Sequence, residues 1–166
     1  IILPISFDET KEASKMNIAT RLSALNFLDN GGAIGVFPGG TVSTAQSPFG
    51  VPMDPGWRSF TAKMITRSDA QVVPIFFEGH NSRLFQVASH IHYNLRMGLL
   101  IKEFKSKVGN PVKIAIGNPL SDTAIKSRSG NPRILMDFLR EETYKLSRTP
   151  LDNFNYGYEF ESRYKI

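Results

Sequence analysis

The sequence contains no cysteine, which excludes disulfides and thiolate chemistry and fits a reducing compartment. No apolar run approaches the roughly 20 residues of a membrane-spanning helix, and no signal peptide is visible. Internal repeats and low-complexity segments are missing as well. Acidic residues are absent from the whole stretch 79–102. There is also no Met at the start. The chain opens on Ile1-Ile2-Leu3-Pro4-Ile5 without capping residues, which reads as a strand and as a piece of a longer protein.

What is present fits one folded domain. A chain of 166 residues is long enough to bury roughly 70% of the surface its unfolded form exposes. Hydrophobic residues make up 41% and charged residues 21%, as in globular rather than disordered chains. Twenty Lys and Arg against fifteen Asp and Glu leave a net charge of +5. That favours an anionic partner: a lipid surface, a nucleic acid or an acidic carrier protein.

Periodicity organises the chain. Residues 1–5 read as a strand. Ile18, Leu22 and Leu25, widened by Ala19, Ala24 and Leu28, predict a helix over 14–28 with that stripe inward. Asn30-Gly31-Gly32 closes it. Residues 33–37 form a short apolar run read as a buried strand. A helix opening at Pro55 or Trp57 and running to Arg67 leads into a second buried strand at 72–77. Helices are expected at 81–90 and 95–105, and a strand at 112–116. Asn131-Pro132 is an N-cap followed by Pro at the first helical position, with Ile134, Leu135, Phe138, Leu139 and Leu146 as its apolar face. Strands alternating with helices of this length predict an α/β fold, a mixed and mainly parallel sheet flanked by helices. The domain takes in residues 1–148, and 149–166 is a separate aromatic tail. Phe154, Tyr156, Tyr158 and Phe160 alternate there with period two. An edge strand or an arm on its own domain fits this pattern, as does an arm on another subunit or at a membrane interface.

The stretch 31–43, GGAIGVFPGGTVS, carries the most information. Pro38 ends the apolar run by removing a donor. Gly39 and Gly40 permit positive φ and close approach of a ligand, while Thr41 and Ser43 supply hydroxyls able to donate to an anion. The irregular stretch 38–56 is longer than a plain connection, which points to function. It is no nucleotide-binding P-loop, because Thr41 stands where the phosphate-binding Lys is required. A purely structural glycine turn is the alternative.

Phe37-Pro38-Gly39-Gly40-Thr41-Val42-Ser43 resembles the third signature block of the glycerolipid (1-acylglycerol-3-phosphate type) acyltransferases, usually Phe-Pro-Glu-Gly-Thr-Arg-Ser. Val72-Val73-Pro74-Ile75 resembles the fourth block. Gly79-His80-Asn81-Ser82-Arg83-Leu84-Phe85-Gln86, with Trp57 upstream and Leu95-Arg96 downstream, resembles the haemolysin-like branch that includes ornithine-lipid acyltransferases. The resemblance runs from about Ile1 to Pro119. It implies a partial glycerolipid-acyltransferase-like domain that transfers a fatty acyl group from acyl-ACP (acyl carrier protein) or acyl-CoA (coenzyme A) to a lysolipid hydroxyl. It implies no cofactor, and a peripheral place on an anionic membrane at the cytoplasmic face of the inner membrane. The substrate-binding residues it suggests are Gly39, Gly40, Thr41, Ser43, Trp57, Arg58, His80, Asn81, Ser82, Arg83 and Arg96, with the loop holding an anionic headgroup.

Two departures stand out. Gly39 replaces the family's Glu, and Val42 its Arg. The family's catalytic pair is a His, four residues, then an Asp that orients it. Here Phe85, Leu95 and Met97 stand at that spacing from His80, His90 and His92. The chain alone is therefore expected to be inactive, with no catalytic residue of its own. His90-Ile91-His92 suits a metal on a strand, but no Cys or carboxylate lies nearby, and no metal is expected. Arg83, Arg96 and Lys102 among apolar residues suit an anionic bilayer, the alternative being a solvated face over a core. Arg83 and Arg96 are the favoured guanidinium contacts for phosphate or carboxylate. Besides the enzyme reading, a non-catalytic lipid- or partner-binding module is possible. A nucleic-acid binder has only the net charge in its favour, and no nucleic-acid partner is expected.

Overall fold

The computed structural model describes residues 3, 5, 6 and 10–160; most of the strand expected at 1–5 lies outside them. Thr10 accepts the Ala13 N–H at 3.1 Å and so caps α1, Lys11–Asp29. Gly31, at φ +79°, ends the helix by donating to the Leu28 carbonyl. The expected inward stripe is met in part: Ala24 is buried and Leu25 and Leu28 are half-buried, but Ala19 is exposed. Ile18 and Leu22 are 52% and 62% exposed, whereas Ala13, Thr20 and Ala24 are buried. The buried face is thus rotated toward Ala13, Thr20 and Ala24, with Leu28 at its end against the cavity. Arg21 stacks 5.2 Å over the Phe60 ring at the start of α2, Phe60–Ile65.

Helix α2 is shorter than its predicted span because the stretch before it is engaged with the glycine loop. The Arg58 N–H donates to the Pro38 carbonyl at 3.0 Å, which holds 57–58 outside the helix. Strand β1, Ile75–Phe77, follows, cut short by Pro74, which has no N–H to give the ladder. Next come α3, Arg83–Ile91, and α4, Tyr93–Lys107. Strand β2, Ile114–Ile116, then pairs antiparallel with β1 in the register Ile75↔Ile116, Phe77↔Ile114. Helices α5, Asp122–Lys126, and α6, Pro132–Tyr144, complete the order.

The sheet corrects the expectation of mainly parallel pairing. Among the described residues it has two strands, and they are antiparallel. The connection explains this. One crossover helix returns a chain for parallel pairing, but here two helices lie between the strands. Ser82, at the start of α3, bonds to Glu103, near the end of α4. The helices therefore run as an antiparallel hairpin, which brings β2 in from the opposite direction. Residues 33–37 form no strand. They run extended with alternating exposure and donate to no backbone partner among the bonds of the described chain. Nor is 72–77 a fully buried strand, since Ile75 and Phe77 are about half exposed.

The core gathers where α6 meets α2 and α5. Ala62, Ile125, Leu135, Met136 and Leu139 are buried together, with Trp57, Ile65, Val72, Leu120 and Phe138 packed around them. Asn131 caps α6 by accepting the N–H groups of Arg133 and Ile134, and Pro132 follows as the sequence predicts. Ile134 leaves the expected apolar face and is exposed. The described part of the tail is an extended arm without strand pairing, laid on its own chain. Gly157 donates to the Asp54 carbonyl at 2.8 Å and Tyr158 to the Thr44 carbonyl at 2.9 Å.

Candidate functional site

The glycine loop turns at Gly40, where φ is +66°; of the two expected glycines, only this one sits in the left-handed region. Thr44 then bridges Met53 through its N–H, at 3.0 Å. That closes the 44–53 excursion on itself and returns the chain so that Asp54 stands beside Ser43. The Ser43 hydroxyl donates to Asp54 Oδ1, and the Trp57 indole N–H donates to Oδ2 at 3.0 Å. A Cβ on Gly39 would meet Asp54 Cγ and Oδ2 at 3.4 Å. The carboxylate therefore lies against the space where a side chain at position 39 would begin.

The backbone of Asp54 is fixed from two further elements. Its N–H donates to the Tyr144 phenol oxygen at 2.8 Å. Its carbonyl accepts from Arg140 Nη2 at 2.9 Å and from Gly157. Arg140 is 2% exposed, and its remaining bonds go to the Phe154 and Asn155 carbonyls at 2.7 and 2.9 Å. A buried guanidinium thus clamps the arm and the Asp54 turn onto α6. Burial, reinforced by the nearby Asp54 charge, pushes the Tyr144 phenol up to about 12. It stays a neutral hydroxyl over the physiological range.

This cluster borders a cavity of about 1030 Å³. Residues 31–43 form one wall and 70–77 the other, with Met64, Ile65, Met136 and Leu139 beneath. The walls approach at the Phe37 and Phe77 rings, 5.6 Å apart. Among the described lining residues, Asp54 is the one carboxylate, and no Lys, Arg or His is present.

The structure divides the predicted site residues in two. Gly39, Gly40, Thr41, Ser43 and Trp57 line the cavity. Arg58 pairs with Glu159 of the arm at 3.4 Å. His80 bonds the Asn81 carbonyl through Nδ1, and Asn81 accepts from Lys107 at 2.6 Å. Ser82 caps α3 by accepting the Phe85 N–H. Arg83 donates to the Gly50 carbonyl at 2.6 Å. Arg96 is 4% exposed. It donates to the Thr44 and Ser89 hydroxyls, both at 2.8 Å, and lies between the Phe85 and Phe160 rings. These last six residues, Arg58 to Arg96, are not among the cavity's lining.

The histidine pair is not on a strand. His90 ends α3, with Nε2 bonded to the Ala45 carbonyl and its ring against Tyr158. His92 caps α4 by accepting the Asn94 N–H. No three His, Asp or Glu side chains gather as metal ligands among the described residues.

Sequence reasoning missed Asp54, Arg140 and Tyr144. One signal was available: Asp54 is the only acidic residue between Asp29 and Asp69, set in a loop where charge is otherwise absent. Arg140 and Tyr144 read as ordinary members of an amphipathic helix, and only the tertiary contacts distinguish them.

Neither the curated proteins nor the solved structures give a match to this sequence. The sequence model of one family, described as acyltransferase, matches residues 3–153, which takes in the loop, the cavity walls, Asp54 and Tyr144. The chain belongs to this acyltransferase family.

Proposed function

We propose that the chain is the substrate-side part of an enzyme that moves a fatty acyl group from acyl-ACP or acyl-CoA to a lysolipid hydroxyl, in phospholipid or ornithine-lipid synthesis. The observation that carries the reading is the apolar cavity beside the glycine loop. Its volume of about 1030 Å³ is at the upper end of small-molecule sites, about 300–1,000 Å³, and its walls suit an alkyl chain. In the reaction the acceptor hydroxyl loses its proton to a base and attacks the thioester carbonyl, and the thiolate leaves.

On this reading the general base lies outside these 166 residues. Among the described residues no His carries on its ring the orienting carboxylate the family pair requires; the ring bonds go to backbone groups of Asn81, Ala45 and Asn94. The helical hairpin α3–α4 is the proposed membrane face. It leaves Leu84, Ile91, Leu95, Ile101 and Phe104 exposed among Arg83, Lys102 and Lys105, which are exposed as well. No described helix is long and apolar enough to cross a membrane.

The test is a thioester assay with labelled acyl donor and a panel of lysolipids, run on the whole encoded protein and on this chain alone. Transfer by the whole protein and none by the chain is expected. A whole protein that binds lysolipid yet turns over no thioester would favour a non-catalytic lipid-binding module instead.

A further inference from the structure

The geometry points to Asp54 as a specificity-determining residue that selects, for this cavity, a single-chain amphiphile with an ammonium end over one with a phosphate or carboxylate end. The inference rests on the reading of the cavity as a lipid site and adds the chemistry of the headgroup.

Three observations converge. First, Asp54 is the sole charged side chain lining the cavity among the described residues. Its two oxygens each accept one protein donor, from Ser43 and Trp57. A carboxylate has about four acceptor positions, so capacity remains for a ligand N–H on either oxygen.

Second, the arginines around the site are used elsewhere. Arg58 meets Glu159, Arg140 holds three backbone carbonyls, and Arg96 sits on two hydroxyls between aromatic rings. Among the described residues no guanidinium lines the cavity to receive an anion. Third, the Ser43 hydroxyl, a natural phosphate donor, is turned to Asp54 instead. An anionic headgroup at the loop would meet an acceptor where it needs a donor, and a like charge beside it. An ammonium group meets attraction and an open lone pair.

The preference opposes the net charge. At +5 the protein as a whole attracts anions at long range, so selection for a cation has to come from local geometry. That makes it separable by experiment.

Trp57 is the only tryptophan and its indole is bonded to Asp54, so its fluorescence reports the site directly. The probes are dodecylammonium, dodecyl phosphate and neutral dodecyl maltoside, titrated below their aggregation concentrations. Dodecylammonium is expected to bind at least about tenfold tighter than dodecyl phosphate, a difference of about 1.4 kcal/mol. In Asp54→Asn the gap should shrink below about threefold, with dodecyl maltoside unchanged. Unchanged dodecyl maltoside binding in Asp54→Asn distinguishes loss of charge from local collapse.

Dodecyl phosphate binding as tightly as dodecylammonium to the unaltered chain overturns the inference and leaves the acyltransferase reading standing. A preference that persists in folded Asp54→Asn also overturns it. If none of the three probes changes the emission, the cavity is not a lipid site and both readings fall together.

Discussion

Gly39 and Asp54 face each other: a Cβ at position 39 would lie 3.4 Å from the Cγ and Oδ2 of Asp54, in van der Waals contact. The acyltransferase signature that this loop resembles usually carries Glu where Gly39 stands, and here a carboxylate reaches the same place from position 54. Gly39→Ala adds only an ordinary contact at a backbone without positive φ, so its cost is expected within about 0.5 kcal/mol. Gly39→Glu sets two carboxylates together, at a cost of about 1–4 kcal/mol depending on local screening. Combined with Asp54→Ala, it should cost less than the two single changes summed. Thermal melts of the four proteins measure that coupling, expected near 1 kcal/mol. Strict additivity would mean the two side chains do not compete.

The arm depends on a second glycine. A Cβ on Gly157 would lie 1.8 Å from the Met53 carbonyl oxygen and 2.6 Å from that of Thr44, and backbone cannot yield as a flexible side chain can. Gly157→Ala is expected to lift the arm and forfeit the bonds to Asp54 and Thr44. A cost of about 1–3 kcal/mol, typical of overpacking, would lower the melting temperature by several degrees. Limited proteolysis should then cut within 150–160, where the parent protein resists. Gly130→Ala is the control, since a Cβ there meets nothing within 4 Å.

These two glycines show what the sequence could and could not say. The turn at Gly40 and the cap at Asn131-Pro132 were legible because local chemistry decides them: positive φ in one case, an N-cap and a ring-fixed φ in the other. The loop-lining residues Gly39, Thr41, Ser43 and Trp57 came from the same stretch for the same reason. Pairing direction was not legible. It depends on the α3–α4 hairpin, whose antiparallel closure is fixed by Ser82 meeting Glu103, a long-range contact without periodicity. Arg96 misled for a related reason. A cation among apolar residues reads as surface, yet the Thr44 and Ser89 hydroxyls and two aromatic rings make a place for it inside.

Tyr144 makes stability depend on alkaline pH. Burial, with Asp54 beside it, raises the phenol to about 12, above the unfolded value of about 10. The folded state therefore holds its proton more tightly. The resulting stabilisation is complete below about pH 10 and is lost as pH rises toward 12, and for two units it amounts to about 2–3 kcal/mol. Denaturant melts at pH 8, 10 and 11.5 should show the decline, and Tyr144→Phe should show a shallower one. Phenolate absorbance gives a second readout: Tyr144 ionises late, as does Tyr156, raised by its bond to Asp137, and Tyr144→Phe removes the first of these. Equal pH slopes for the two proteins would remove Tyr144 as the cause.

The helical hairpin offers the last test. Arg83, Lys102 and Lys105 are exposed beside the outward Leu95, Ile101 and Phe104, whereas Arg96 is enclosed. Basic residues near an anionic bilayer contribute about 1 kcal/mol each, so replacing these three by Gln should weaken vesicle binding by about 100-fold. Raising salt from 0.1 M should weaken the parent in the same direction, because screening acts over about 10 Å there. Arg96→Gln should behave differently, lowering the melting temperature by removing donors from the buried Thr44 and Ser89 hydroxyls while altering vesicle affinity little. Changing Lys11, Lys15 and Lys63 to Gln removes the same net charge from α1 and α2 instead. Sedimentation with phosphatidylglycerol vesicles separates the cases. Equal losses in the two triple variants would mean that net charge alone drives binding, and the hairpin would be an ordinary solvated face.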